Sequence, residues 1–347
     1  MQKADARICY ELDPAGDVTL VVTNVPQNLP RNLASVQSEV LAGTSQVQNS
    51  STQSKGTQAK ALRIRASTKH LTLSCSYFAR RFASGMGEGV ELKSQGSVEL
   101  DIDHPNGLAF LVLMMIVHCR HRRVPRVLSK RTLTHVAELV DYYQCHDAVE
   151  VFSDMWIKAI EKTSEKLVSE ALDWITISWV FGYPSKFYET TRRAIETSDS
   201  TITSGGRPIP AVIIDKMNKE RCSFIKGVID DLHKLNFELI KGCLNGAPTT
   251  LDNNELCTYT VLGAFTKSLM ELELLTPKPD APYAGIQIWK LLQDCKSMNS
   301  PAVTDPSSSF AHDKCRLSTR VTAMLAAHKS PQGFDLDAQP FRELREW

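Results

Sequence analysis

The sequence predicts an α+β N-terminal domain, in which a small sheet is covered by a helical cluster, followed by an all-α C-terminal domain. Short β-rich runs alternate with turns in the N-terminal third, whereas apolar residues recur at helical spacing through almost all of the second half. Between these regions lies a run of ten apolar residues, 108–117, about half of the ~20 that a membrane helix needs. This order of elements favours an α+β domain followed by an all-α domain.

The length and charge of the chain limit the number of domains and the kinds of partner that it can have. Its 347 residues favour two domains, which we place at 1–150 and 151–330 with a tail at 331–347. Lys and Arg total 40 against 39 Asp and Glu, so no global field favours nucleic acid or a membrane as a partner. The absence of an apolar signal segment or a membrane-length apolar run predicts an intracellular protein, cytoplasmic or nuclear. Nine cysteines without a CxxC pair suit a reducing compartment.

The first β-rich runs, residues 8–12 and 18–22, are separated by a turn at 13–17 that contains Pro and Gly. This pattern predicts a β-hairpin. Residues 24–60 are rich in Ser, Thr, Gln and Asn and lack a sustained apolar period, so we predict a flexible insertion there. Apolar and basic residues then alternate over 61–66, which predicts a third strand.

A helix is predicted next, with Ser67 or Thr68 as its cap. A glycine-rich stretch, residues 85–89, ends it, and alternation at 98–102 predicts a fourth strand. The apolar residues that recur along this helix are Leu71, Cys75, Phe78 and Phe82.

The apolar run at 108–117 predicts a buried helix, because the acidic and turn-forming residues before it supply a start signal. A basic loop with Pro125 follows, and then a second helix with apolar residues on one face. We expect these two helices to form the centre of the first domain. The residues on the apolar face of the second helix are Leu133, Val136, Ala137 and Val140.

Beyond residue 149 the apolar pattern predicts helices separated by loops rich in Gly, Pro and Ser. No unit of about 20 to 50 residues repeats, so a solenoid is not expected. The successive apolar rows begin at Ala148, Leu172, Ile225, Val261 and Ile288.

A resemblance to a known family rests on several pieces of the first domain. They are Asp17-Val18, residues 67–71, Tyr77-Phe78, and the helical segments 108–118 and 136–143. In this order and spacing they resemble the BTB/POZ domain, in particular the two-part BTB proteins of filamentous fungi. Two departures, Ser67 in place of the histidine of animal members and Cys75 in place of a common serine, leave the helix intact.

The resemblance implies partners. In the family the first strand, here with Ile8, Tyr10 and Leu12, and the first helix pack against a second copy, so a homodimer is expected. The triplet Met86-Gly-Glu88 resembles the contact by which BTB adaptors recruit a cullin ubiquitin-ligase scaffold, with the methionine filling a pocket and the glutamate fixing orientation. Such a triplet also arises by chance, and the alternative is a solvated loop.

We therefore expect a non-enzymatic protein-protein interaction module, a dimeric substrate adaptor for a cullin-type ubiquitin ligase. The alternative is a structural or regulatory scaffold, for example a transcription-related one, whose helical domain binds another protein. No GxSxG, HExxH or GxxxxGK[ST] motif occurs, and the glycines at 85–89 follow a helix instead of a strand, which disfavours a dinucleotide cradle.

Four soft side chains in the second half form a candidate zinc set, since zinc prefers four nitrogen or sulfur ligands. His312 and Cys315 could come from one turn, but the remaining spacing is long and irregular. Ordinary cysteines without any cofactor are the competing interpretation. The set is Cys243, Cys257, His312 and Cys315.

Two further clusters have competing interpretations. The basic run from Arg120 to Arg131 could neutralise phosphates, yet no aromatic residue interleaves it for base stacking, so we favour a solvated turn that contacts nearby carboxylates. Trp156, Trp174 and Trp179 lie on apolar helical faces, which favours core packing over a ligand-binding aromatic box.

Overall fold

A computed structural model describes residues 8–22, 62–85, 87–103, 106–162, 171–242, 251–300 and 315–345. The insertion predicted at 24–60 lies outside the described residues. Contacts divide the chain into unit 1, which comprises Met1–Phe187, Gly206–Pro208 and Leu336–Trp347, and unit 2, which comprises Tyr188–Gly205 and Ile209–Asp335. The domain boundary at residue 150 stays a prediction.

The sheet of unit 1 contains the four predicted strands, in the order β1-β3-β2-β4. Strand β2 is antiparallel to β3, and the β1–β3 and β2–β4 pairs are parallel. In register, Leu20 lies opposite both Ile64 and Leu100, and all three side chains are buried on one face. The strands are β1 Ile8–Glu11, β2 Val18–Val22, β3 Leu62–Ala66 and β4 Val98–Ile102.

The predicted β1–β2 hairpin is wrong, because β3 lies between these two strands. A Cβ on Gly16, in the connecting turn, would lie 2.4 Å from the carbonyl oxygen of Ala66. The turn therefore crosses closely over the end of β3, and Arg65 Nε donates to Gly16 O at 3.1 Å. The turn residues in the sequence indicated a reversal but not which strand would lie alongside.

Helices cover the sheet of unit 1, which confirms the mixed α+β class. The predicted central pair is present, and all of residues 109–117 are buried. The Asn106 side chain caps the first of these helices by accepting from Ala109 N at 3.0 Å. The helices up to residue 180 are α1 Thr68–Ser74, α2 Ser76–Ala83, α3 Glu88–Gln95, α4 Gly107–Val117, α5 Lys130–Tyr143, α6 His146–Lys162 and α7 Ala171–Val180.

Two local predictions in this region are wrong. The single helix expected after Ser67 is interrupted at Cys75, whose backbone is extended (φ −132°, ψ 110°). Gly89, expected in a loop, instead lies in the first turn of α3. A Cβ there would lie 2.6 Å from Ser84 O and 2.7 Å from Phe82 O, so the glycine allows α3 to begin directly against the end of α2.

The C-terminal region is helical, as predicted. Among the described residues, no helix is both long enough and apolar enough to cross a membrane. The remaining helices are α8 Pro184–Thr197, α9 Ala211–Ile240, α10 Leu251–Glu271, α11 Ile288–Ser297 and α12 Leu317–Ala326.

The core of unit 2 contains an arginine, Arg221 on α9, whose exposed fraction is 0%. Its Nε donates to Ser198 O at 2.9 Å and its Nη1 to Pro282 O at 2.7 Å. Its Nη2 donates to Tyr283 O at 2.9 Å and Ile286 O at 2.8 Å. These four bonds satisfy the guanidinium inside the protein and hold the loop before α11 against α9.

Candidate interaction surface

The start of α1 is held by a residue from the sheet. The Asp17 carboxylate, just before β2, accepts from Thr68 N at 2.7 Å and from Thr68 Oγ1 at 2.5 Å. Ser67 occupies the cap position, but its side chain makes no capping bond. The predicted Ser67 or Thr68 cap is thus replaced by a long-range one, because the carboxylate offers two charge-assisted bonds.

A histidine at the end of α4 completes this contact. Ser67 N donates to His118 Nε2 at 3.0 Å, so the other ring nitrogen carries the hydrogen and donates to Met114 O at 2.9 Å. Burial lowers the pKa of His118, in keeping with a neutral ring. Asp17, residues 67–68 and His118, which belong to three separate pieces of the family resemblance, therefore meet at one point.

On the surface, four side chains form what we call the tyrosine–arginine cluster: Tyr77, Arg81, Glu88 and Tyr142. Arg81 Nη1 donates to Tyr77 Oη at 3.2 Å, and Arg81 Nη2 lies 2.5 Å from Glu88 Oε1. The ring centroids of Tyr77 and Tyr142 are 5.1 Å apart. Arg81 thus joins α2 to the first residue of α3, while the two tyrosines join α2 to α5.

The cluster is polar, aromatic and open to solvent. Tyr142 is 59% exposed, and the Arg81 and Glu88 side chains are 26% and 33% exposed. The hydrogen bond from Arg81 lowers the pKa of Glu88, and a hydrogen bond with Tyr77, followed by burial, raises the pKa of Tyr142. Tyr and Arg are the residue types enriched where proteins bind one another.

This surface adjoins the predicted cullin contact. Met86 lies outside the described residues, whereas Glu88 is placed at the start of α3 and already paired with Arg81. A partner would therefore meet the Arg81–Glu88 pair as a unit instead of a lone carboxylate. Sequence reasoning missed Arg81 and Tyr142, since nothing in the local pattern shows that α2, α3 and α5 converge.

The candidate dimer strand β1 lies at an edge of the sheet. Tyr10 and Leu12 are buried within unit 1 itself, and the side chain of Ile8 lies outside the described residues. Arg120 Nε donates to Leu12 O at 2.8 Å, which occupies the backbone at that end of the strand. A second copy would therefore meet the backbone edge and the exposed Cys9 and Glu11, not the buried pair.

The candidate zinc set is only partly described. Cys257 and Cys315 are buried in unit 2, while Cys243 and His312 lie outside the described residues. Where the structure is described, no group of three or more His, Cys, Asp or Glu side chains is arranged to hold a metal ion. The zinc set stays a prediction.

The other two clusters are placed. Trp156, Trp174 and Trp179 are buried, which confirms the core interpretation, and Trp156 Nε1 donates to Pro125 O at 2.7 Å. In the basic run, Arg120 bonds the β1 end as described above, and Arg126 Nη1 lies 3.7 Å from the sulfur of Met155.

Unit 2 has a cleft of about 500 Å³ between α9 and the segment 328–334. The segment is anchored by His328 Nε2, 2.9 Å from Asp231 Oδ2, and by Phe334 N, which donates to Thr191 Oγ1 at 2.9 Å. Two aromatic side chains, Phe224 and Phe334, and basic groups such as Lys329 line the cleft. A ligand in this cleft would meet apolar side chains inside it and charged side chains at its edge.

Comparison with family models, curated proteins and solved structures finds no match for this chain.

Proposed function

We propose that this chain is a non-enzymatic BTB/POZ-like adaptor that binds a cullin-type scaffold through the tyrosine–arginine cluster of unit 1 and a client through unit 2. The observation that carries the proposal is the cluster itself, which combines two tyrosine rings in contact with an Arg81–Glu88 pair and contains Glu88, the last residue of the triplet.

The geometry of the first helix supports the family part of the proposal. The resemblance rests on separate stretches of sequence, and three of them meet at the start of α1, where Asp17 accepts from Thr68 and His118 accepts from the backbone N of Ser67. Such a meeting is expected if the chain shares the fold of the family.

The chemistry of the cluster supports the binding part. An interface hot spot needs side chains that present a large contact area and lose little conformational entropy on binding. Arg81 is already held by Tyr77 and Glu88, and the Tyr142 ring packs against the Tyr77 ring, so much of this ordering is present before a partner arrives.

The test is calorimetric titration of the purified 347-residue protein with the N-terminal domain of the cullin that BTB adaptors bind. We expect Tyr142→Ala to weaken binding by at least about tenfold, the effect of losing a hot-spot side chain. The matched control is Tyr259→Ala, which removes a 66% exposed tyrosine from α10 of unit 2 and should leave the affinity unchanged.

Charge reversal provides a second arm. Glu88→Lys should break the pair with Arg81 and lower the affinity, as should Met86→Arg, whereas Glu150→Lys on the exposed surface of α6 should not. Absence of cullin binding by the wild type, or binding that survives both Tyr142→Ala and Glu88→Lys, would remove the proposal.

The adaptor is further proposed to be a homodimer through the outer edge of β1, the first strand of the sheet. Size-exclusion chromatography with light scattering at micromolar concentration measures its mass. Glu11→Pro removes a backbone donor from the strand and should shift a dimer toward monomer. A wild type that is strictly monomeric would refute this part alone.

A further inference from the structure

We propose that Cys75 and Cys145 are a modification site of unit 1, a buried dithiol that low-molecular-weight disulfides oxidise to an intramolecular disulfide. Cys75 lies at the break between α1 and α2, and Cys145 lies between α5 and α6. Both are buried, with exposed fractions of 0% and 2%.

The backbone brings the two residues together. Ser76 N donates to Gln144 O at 3.3 Å. Cys75 immediately precedes the donor residue and Cys145 immediately follows the acceptor residue. The backbones of the two cysteines therefore approach each other at this hydrogen bond, and a disulfide needs Cα atoms about 4.4 to 6.8 Å apart.

The thiol groups of Cys75 and Cys145 also interact. A hydrogen bond with the Cys75 thiol, followed by burial, raises the pKa of the Cys145 thiol. Together with the backbone hydrogen bond between Ser76 and Gln144, this indicates that the two thiols face each other, and Cys145 Sγ lies 3.9 Å from Val140 O. The extended backbone of Cys75 sets the direction of its side chain. In an uninterrupted helix the Cα–Cβ bond of this residue would point in a different direction.

The reaction is two thiol–disulfide exchanges. A thiolate of the pair attacks one sulfur of the small disulfide, which releases one thiolate and leaves a mixed disulfide on the protein. The second cysteine, as its thiolate, attacks the protein sulfur and releases the other small thiolate. The protein thiols are oxidised, the small disulfide is reduced to two thiols, and the protons lost by the protein are taken up by the released thiolates.

The burial of Cys75 and Cys145 determines the rate at which they are oxidised. A buried thiol with a raised pKa is a poor nucleophile, so oxidation proceeds through local opening at the α1–α2 break. Once formed, the bond links residues 75 and 145 and restricts the unfolded chain. The thermal midpoint should rise by roughly 10 °C.

The probe is oxidised glutathione, applied overnight to the folded full-length protein. The remaining thiols are then alkylated under unfolding conditions, and the protein is digested without reductant. Mass spectrometry should find a crosslinked peptide pair that contains Cys75 and Cys145, while Cys257 and Cys295, which are also buried, are recovered alkylated.

Recovery of Cys75 and Cys145 as alkylated thiols, at times when the exposed Cys9 and Cys119 carry glutathione, would overturn the proposal. So would a crosslink from either residue to another cysteine. This assignment of crosslinked and alkylated cysteines is made on the wild-type protein, so it does not depend on whether a variant folds. Among variants, Cys75→Ser should abolish the rise in thermal midpoint and Cys295→Ser should retain it.

Discussion

Replacing Asp17 by alanine tests the contact that joins the sheet to α1. The substitution removes an acceptor of two charge-assisted hydrogen bonds, from Thr68 N at 2.7 Å and Thr68 Oγ1 at 2.5 Å. Such bonds contribute about 1.5 to 3 kcal/mol each, and a lost helix cap costs about 1 kcal/mol. Because the contributions overlap and water replaces part of the loss, we expect unfolding to become easier by about 2 to 4 kcal/mol.

The assay is urea unfolding followed by tryptophan fluorescence, since Trp156, Trp174 and Trp179 are buried in unit 1. Asp101→Ala is the matched control, because this exposed carboxylate on β4 should change stability by no more than about 0.5 kcal/mol. If Asp17→Ala costs no more than the control, the reasoning about the capped α1 is refuted.

Other substitutions and conditions give further predictions. Arg221→Met removes the buried guanidinium that donates to four backbone carbonyls and should cost at least about 4 kcal/mol in unit 2, followed through the half-exposed Trp289. Gly89→Ala should cost about 1 to 3 kcal/mol, because its Cβ meets the backbone of α2, and thermal melting measures this. Burial lowers the pKa of His118 and takes that of His146 to about 4. Below about pH 6.5 the unfolded chain then binds more protons than the folded one, so stability should fall between pH 6.5 and 4 and stay level above, as urea titrations across pH would show.

Much of the fold could be predicted because buried residues recur along the sequence with the period of the strand or helix that contains them. The alternation at residues 62–66 and 98–102 marked two strands, and the apolar run before His118 marked the central helix. These patterns report which side of an element faces a core. They do not report which neighbour shares that core, and for that reason the position of β3 between β1 and β2 was missed.

The candidate surface was harder to predict. The contact of Arg81 with Glu88 depends on how α3 starts, and that start depends on Gly89 fitting against the backbone of α2. In the sequence the glycines of this segment indicate a loop, whereas in the structure Gly89 permits close packing of α3 against the end of α2. Tyr142 precedes the buried Tyr143 in one helix, and only the placement of α2 shows that the exposed ring of Tyr142 contacts the ring of Tyr77.

The central claim is that the tyrosine–arginine cluster is where a cullin scaffold docks. Hydrogen–deuterium exchange of the full-length protein, free and saturated with the cullin N-terminal domain, tests this directly. We predict that protection on binding is concentrated in peptides covering residues 76–92 and 140–145. Protection confined to unit 2, or no protection at saturating cullin, would contradict the account.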